Sequence, residues 1–378
     1  MIIEIDRGLA DEETLTTVYE ILGGAGITPD EVEEIIGERR IILGVKVNLA
    51  GLALDDNRIA GVHGVMAVDR ISPKYKLASL QWGERTNGGH SKVIIPSPQG
   101  EIIIGGDGLV VISGPCSCED YESMTRIGGL VNAAGAHLMR AGAYKPRTSP
   151  YDFQGLRAEA RPIIERIMQE TGFGFVCEAT GIEAAEDLAL YASMIQIGAR
   201  NAQNYDLLKK VAELTANPDD PKHSLPVLLK HSMSPTLDVF LNSAEYILAG
   251  GNPNVVLCVR GAQTIEKGDV LRNTAMLEYI PLLKQASHLP VCYDPSHVGR
   301  RDLVFDLSLA AVEMGADALI VESHYDPERA KSDGGQTIYA GPLEGRNVSP
   351  KQRLDVLIPE VMATYHRRRE WEERLHNL

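Results

Sequence analysis

Cys116, His297, Glu322 and Asp333 offer one thiolate, one imidazole and two carboxylates. A mixed sulfur, nitrogen and oxygen set of this kind can hold a divalent metal and leave room for water or substrate. Their spacing has no CxxC or HExxH form, so only the fold can bring them together. Arg140, Lys145, Arg147, Arg200, Lys230 and Arg260 form a second set. Arg captures phosphate and carboxylate through two parallel hydrogen bonds, and Lys adds a point charge. Six cations beside a metal suit at least two anionic groups, and three fit better. Singly, each residue has a plainer reading. Cys116 is a small buried hydrophobe, His297 a hydrogen-bonded core histidine, Glu322 a loop cap, Asp333 a turn residue, and each cation half of a surface ion pair. The joint pattern needs a common reason.

That reason lies in the elements that carry these residues. From Leu109 onward, short β-branched runs alternate with longer amphipathic ones. Strands are expected at 110–117, 137–144, 173–179, 194–200, 226–232, 254–261, 290–297 and 318–324. Helices are expected between them, for instance at 123–134, 184–191, 237–248 and 303–314. Eight βα units in this length predict a (β/α)8 barrel. A doubly wound sheet competes, but no Gly-rich dinucleotide fingerprint follows the first strand. In a barrel the active site forms at the C-terminal ends of the strands. Cys116, Arg140, Glu178, Arg200, Lys230, Arg260, His297 and Glu322 all fall at or just past such ends. Strand alternation puts Gln196, Gly198 and Arg200 on one face, and Cys258 with Arg260 on one face, leaving Val259 toward the helices.

Residues 1–88 read differently. A strand at 2–5, a helix at 11–23, a strand at 40–47, a short helix around 58–65 and a strand near 68–77 suit a small β-α-β-β-α-β domain. Residues 89–109 hold two β runs, 92–96 and 101–105, around Ser97-Pro98-Gln99-Gly100, a linker hairpin. The expected organisation is therefore 1–88, 89–109 and a barrel over 110–378.

The chain has 378 residues, 44% hydrophobic and 24% charged, ordinary values for a globular protein. No run approaches the ~18 apolar residues of a transmembrane helix. The N-terminus is acidic and lacks a basic region followed by a long apolar one, so the cytoplasm is expected. Five dispersed cysteines do not form a disulfide framework. A net charge of −15 disfavours nucleic acid and anionic membranes as partners. A local cation cluster can still capture a small anion.

The segments GPCSCE (114–119), LMRAGAYKPRTSPYDFQGL (138–156), QIGARNAQNYDLL (196–208), PVLLK (226–230), AEYILAGGNPNVVLCVRG (244–261), SHLPVCYDPSH (287–297) and VESHYDPERAKSDGGQ (321–336) closely resemble 3-deoxy-D-arabino-heptulosonate 7-phosphate (DAHP) synthase, type I beta. KPRTSPYDFQG separates the chain from the sister 3-deoxy-D-manno-octulosonate 8-phosphate synthases. The region ending in Pro73-Lys74-Tyr75-Lys76-Leu77 resembles the ferredoxin-like (ACT-like) regulatory domain of some members. The resemblance implies a TIM barrel that condenses phosphoenolpyruvate with erythrose 4-phosphate to DAHP plus phosphate, the first step of the shikimate pathway. It implies Cys116, His297, Glu322 and Asp333 as metal ligands, with manganese first and iron, cobalt or zinc as alternatives. Arg200, Lys230 and Arg260 would clamp phosphoenolpyruvate, with Arg140 and Lys145 at the reacting end. Lys145, Arg147 and Thr148 would meet erythrose 4-phosphate. Lys145, Glu178, His297 or a metal-bound water would activate the water. An aromatic amino acid effector at residues 1–88 and a homotetramer or homodimer are further implications. His231, Gln263 and a short loop after His297 depart from the family pattern. They keep a second reading open: a diverged paralogue that uses another aldose phosphate.

Overall fold

The structure is a computed structural model. It describes residues 1–376 other than 38, 48, 50, 51, 71–74, 87, 147, 148, 150 and 264–271. Its N-terminal unit runs β1 (Ile2–Asp6), α1 (Glu12–Gly24), β2 (Val32–Ile36), β3 (Arg40–Val45), α2 (Asp56–Ala60) and β4 (Val65–Asp69). The sheet is antiparallel in the order β2-β3-β1-β4. Asp11 starts α1 by accepting the Thr14 N–H at 2.8 Å, and the Thr14 hydroxyl closes the capping box. Ile3 and Ile5 alternate onto the helix-covered face with Val18, Leu22 and Ile59. Ile2 points the other way and packs with Leu77 against Leu248 and Ala249.

The remaining chain begins with α3 (Leu80–Thr86) and the hairpin β5 (Val93–Ser97) and β6 (Gly100–Ile104). Then come β7 (Val110–Gly114), α4 (Tyr121–Ala133), β8 (Leu138–Arg140), α5 (Ala160–Thr171), β9 (Phe175–Ala179), α6 (Ile182–Leu188), β10 (Met194–Ile197) and α7 (Tyr205–Thr215). They continue as β11 (Val227–Lys230), α8 (Leu237–Ala249), β12 (Val255–Arg260), the two-residue strands β13 (Ala262–Gln263) and β14 (Asn273–Thr274), and α9 (Tyr279–Ala286). The last elements are β15 (Val291–Asp294), α10 (Val304–Glu313), β16 (Ala318–His324), β17 (Ile338–Tyr339) and α11 (Leu354–His376).

Eight strands, β7 to β12 with β15 and β16, pair in parallel and close through the β16–β7 ladder. This is the (β/α)8 TIM barrel expected from the eight runs, behind an α+β domain of ferredoxin-like connectivity. Val227, Leu229, Leu257 and Val259 face the helices, whereas Leu228, Val256 and Cys258 face inward. At the N-terminal end, Val93, Ile95 and Ile104 of the hairpin pack on Ile112, Leu138, Met194, Leu228 and Ile320. The hairpin thus plugs the barrel floor, and chemistry is left to the opposite rim.

Two N-terminal expectations shift. The short helix spans Asp56–Ala60, and the following strand is Val65–Asp69 rather than 68–77. The Glu245 carboxylate on α8 accepts the N–H groups of Lys76, Leu77 and Ala78 at 2.9, 2.8 and 2.9 Å. Three successive N–H groups aimed at one carboxylate require a turn, which ends any extended run. Pro73 and Lys74 lie outside the described residues.

Candidate active site

Parallel strands place their last residues around one rim, and the loops that follow supply the rest. Glu322 stands inside β16 and is fully buried. Its Oε2 accepts from Gln336 Nε2 at 2.6 Å, while Oε1 lies 3.1 Å from Arg140 Nη2 and 3.8 Å from His297 Nε2. Oε1 accepts no hydrogen bond among the described residues. Burial would raise this carboxyl, but Arg140 and His297 outweigh it and hold it below its ordinary value. The Arg140 guanidinium, also buried, is strengthened as a cation mainly by Glu322 against its own burial.

Asp294 closes β15, and sequence reasoning missed it. It is fully buried, with Oδ2 2.5 Å from Lys230 Nζ and 2.7 Å from His297 Nδ1. Its Oδ1 accepts the His297 N–H at 3.1 Å. Burial would raise Asp294, but His297 and Lys230 hold it well below the usual carboxylate range. The carboxylate lies against Nδ1 as a close ion-pair contact rather than an aligned hydrogen bond, and its charge favours a proton on that nitrogen. Burial lowers the His297 pKa, Lys230 lowers it further, and Asp294 opposes both. The signal in the sequence was the i, i+3 spacing of Asp294 and His297 across a strand end.

Cys116 follows β7, and its thiol donates to Asp333 Oδ2 at 3.0 Å. Lys145 Nζ donates to the same sulfur at 2.9 Å, and Ser332 Oγ lies 3.2 Å from it. Burial and the nearby Glu322 push the Cys116 thiol up to about 12, against the pull of Lys145. Burial would lower Lys145, but the Cys116 sulfur and Glu178 outweigh it, so the ammonium stays charged. Asp333 has φ +52°, a left-handed conformation that Asp tolerates better than most residues. Its carboxyl lies below the ordinary range: the Cys116 thiol and Lys145 overcome burial.

The donor chemistry fits a divalent transition metal, and the buried Glu322 Oε1, ion-paired to Arg140 but accepting no aligned hydrogen bond among the described residues, is the observation that favours one. In this arrangement the four residues expected as ligands stand as two pairs, Cys116 with Asp333 and His297 with Glu322. No three such groups gather tightly enough among the described residues to define a metal centre by themselves. Positive charge beside the sulfur comes instead from Lys145.

A cavity of about 190 Å³ opens at the rim, lined by Lys145, Glu178, Gln196, Gly198, Arg200, Lys230, Arg260, Arg272, His297 and Asp333, among others. Glu178 accepts from Gln196 Nε2 at 3.2 Å. It lies against Gly198, where a Cβ would stand 2.0 Å from Glu178 Oε1. Gly198 is therefore a requirement for the Glu178 carboxylate to lie in the cavity. Arg200 and Arg260 make no ion pair among the described residues, and the buried Arg260 Nε has no hydrogen-bond partner. Arg147 and Thr148 lie outside the described residues. His231 does not reach the cavity lining: it is fully buried, with Nε2 2.7 Å from the Arg260 carbonyl and Nδ1 2.7 Å from that of Ser232. A larger hollow of about 560 Å³ lies away from this chemistry, between α1 and α2.

The chain as a whole is similar to known proteins. Residues 89–353 match the family described as DAHP synthetase I. The chain is similar to the phospho-2-dehydro-3-deoxyheptonate aldolase of Thermotoga maritima, with 38% identity over 80% of this chain and 83% of that one. It is more distantly similar to the 2-dehydro-3-deoxyphosphooctonate aldolase of Rhizobium meliloti, with 27% identity over 65% of this chain and 90% of that one. A crystal structure of the Thermotoga maritima DAHP synthase superposes with a TM-score of 0.64 at 35% identity, covering 90% of this chain and 92% of that one. A truncated form of the 3-deoxy-D-arabino-heptulosonate 7-phosphate synthase from the same organism gives 0.61 at 32% identity, covering 80% and 97%.

Proposed function

Since the chain belongs to the DAHP synthetase I family and is an enzyme of its type I beta branch, we propose that its barrel rim condenses phosphoenolpyruvate with erythrose 4-phosphate. The observation that carries the reading is the cavity in which Arg200 and Arg260, with no carboxylate paired to either among the described residues, face Lys230. Uncompensated guanidiniums in a partly desolvated pocket are suited to phosphate and carboxylate.

Arg200, Arg260 and Lys230 hold phosphoenolpyruvate by its phosphate and carboxylate. Lys145, with Arg147 and Thr148, holds the acceptor, and Arg140 stabilises charge at the reacting end. Cys116, His297, Glu322 and Asp333 would hold a divalent metal, manganese first, which supplies Lewis-acid polarisation of the aldehyde oxygen when bound. C3 of phosphoenolpyruvate attacks the aldehyde carbon, and positive character develops at C2. Water adds at C2, and the C–O bond to phosphate breaks, so one water enters as one phosphate leaves. We assign removal of the water proton to Glu178, which faces the cavity and keeps lone pairs beyond the Gln196 bond. Lys145 is held charged, so it suits proton donation or charge stabilisation at the leaving group rather than base work. Residues 1–88 are assigned a regulatory role with an aromatic amino acid as effector, and the active form is a homo-oligomer.

The test is the loss of phosphoenolpyruvate absorbance with erythrose 4-phosphate, arabinose 5-phosphate or ribose 5-phosphate as acceptor, with and without a chelator. Chelator-sensitive turnover with erythrose 4-phosphate as the best acceptor supports the reading. Preference for another aldose phosphate overturns it in favour of a diverged paralogue.

A further inference from the structure

We propose that Arg272 is a further phosphate-binding residue, a guanidinium at the cavity mouth that takes a substrate phosphate jointly with Arg260. The proposal rests on the rim being the site of phosphate-bearing substrates. Arg272 does not sit on a barrel strand, and the strand-end pattern cannot find it. It precedes β14, whose Asn273 pairs with Gln263 of β13. Both ends of this excursion are fixed. The Gln263 N–H donates to the Met233 carbonyl at 2.7 Å, and Asn273 Nδ2 donates to the His297 carbonyl at 2.6 Å.

The stem of Arg272 lies on Gly299 in the loop after His297. Gly299 has φ +94°, and a Cβ there would stand 2.5 Å from Arg272 Cβ and 3.0 Å from its Cδ. No other residue at 299 leaves the stem where it is. The guanidinium is thereby turned into the cavity, although the side chain is 58% exposed.

Its ion-pair partner, Asp333, is already engaged elsewhere. Arg272 Nη1 donates to Gln336 Oε1 at 3.2 Å and lies 3.5 Å from Asp333 Oδ1. The other Asp333 oxygen already accepts from Cys116 and Ser332. Burial is the main cause that lowers the Arg260 guanidinium, Asp294 opposes it, and Arg272 and Arg200 add smaller repulsions in the same direction as burial. Like charges are brought together at a cost that an anion between them would reverse. Arg260 and Arg272 line the same cavity, where a phosphate dianion held by both would offset that cost, and Arg260 Nε still lacks a partner. The plainer role is that Arg272 only positions Asp333, and the two roles separate experimentally.

Arg272→Gln and Arg272→Lys, made in the full chain, are compared with the parent for the KM of each substrate and for kcat. Loss of a charge-assisted bond at a half-exposed site should raise one KM about tenfold with kcat nearly kept. Lysine should recover part of the loss. The substrate whose KM moves identifies which phosphate is held. Stabilisation of the folded chain against heat by inorganic phosphate is the activity-independent readout, and Arg272→Gln should shrink it. A fall in kcat with both KM values unchanged would leave Arg272 as a partner of Asp333 only and overturn the proposal. So would unchanged kinetics. If the parent turns over no aldose phosphate, the functional reading fails, and the phosphate-induced stabilisation alone decides the role of Arg272.

Discussion

Asp294→Asn keeps the shape of the buried hub and removes its charge, and the consequences can be worked from the contacts. Lys230 is only 3% exposed on its side chain and has Asp294 at 2.5 Å. Removing one partner of a buried ion pair costs about 3–5 kcal/mol, because the other charge stays buried and unpaired. Unfolding entropy of about 2.1 cal/mol/K per residue over the whole chain is roughly 0.8 kcal/mol/K, so Tm should fall by about 4–6 °C. Activity should fall as well, because the same carboxylate lies against His297 Nδ1 and accepts the His297 backbone N–H. Outer-shell partners of this kind are worth roughly 10–100-fold. Calorimetry and steady-state rates on the same preparation measure both. Replacing the pair together, Lys230→Met with Asp294→Leu, should recover much of the Tm and none of the activity, because well-packed apolar groups can stand in for a buried ion pair. A single Asp294→Asn variant with unchanged Tm and unchanged rate would refute the reasoning.

Three further outcomes follow from named contacts. Gly198→Ala places a methyl group where the Glu178 carboxylate lies; the flexible carboxylate should swing away, so stability should drop by only about 1–3 kcal/mol while turnover falls by an order of magnitude or more. Full activity in this variant would remove Glu178 from the reaction. Cys116→Ser should cost metal-dependent activity more than the ~10–100-fold of an outer-shell change, and chelator-sensitive activity near that of the parent would take sulfur out of the ligand set. Glu328 titrates down to about 2: burial would raise it, but hydrogen bonds from Arg301 and Tyr339 outweigh that. A depressed carboxyl contributes stability above its unfolded value of about 4.3 and loses it as pH falls toward 2. Glu328→Gln should therefore flatten the acid limb of stability between about pH 4.5 and 2. The carboxylate is 43% exposed, so the effect should stay within about 1 kcal/mol. Urea midpoints at pH 3 and pH 6 measure it, and parallel profiles in the two proteins would contradict it.

The barrel was legible because its strands are buried on both sides and read as short β-branched runs, such as Val227–Lys230 and Val255–Arg260. Strand β2 gave no such signal: an edge strand reading Val-Glu-Glu-Ile-Ile buries only its first residue. The Tyr75–Ala78 turn was hidden because its determinant, Glu245, lies far away in sequence on α8. In the site, residues at strand ends could be found by position, and Glu178, Arg200, Lys230, Arg260 and His297 do line one cavity. Asp294 was passed over because a strand-end aspartate in Tyr-Asp-Pro reads as a turn former, and its burial depends on Lys230 from another strand. Arg272 was invisible for a different reason. It arrives from a two-strand excursion whose position depends on Asn273, His297 and Gly299 together.

The central claim is that this rim joins a three-carbon enol phosphate to a four-carbon aldose phosphate and releases inorganic phosphate in the same turnover. Mass analysis of the products from phosphoenolpyruvate and erythrose 4-phosphate in 18O-water, with phosphate quantified in parallel, tests it most directly. The expected result is one seven-carbon keto acid phosphate per phosphate released, phosphate formed only when both substrates are present, and no label in that phosphate. Phosphate released without the acceptor, or label in the phosphate, would contradict it.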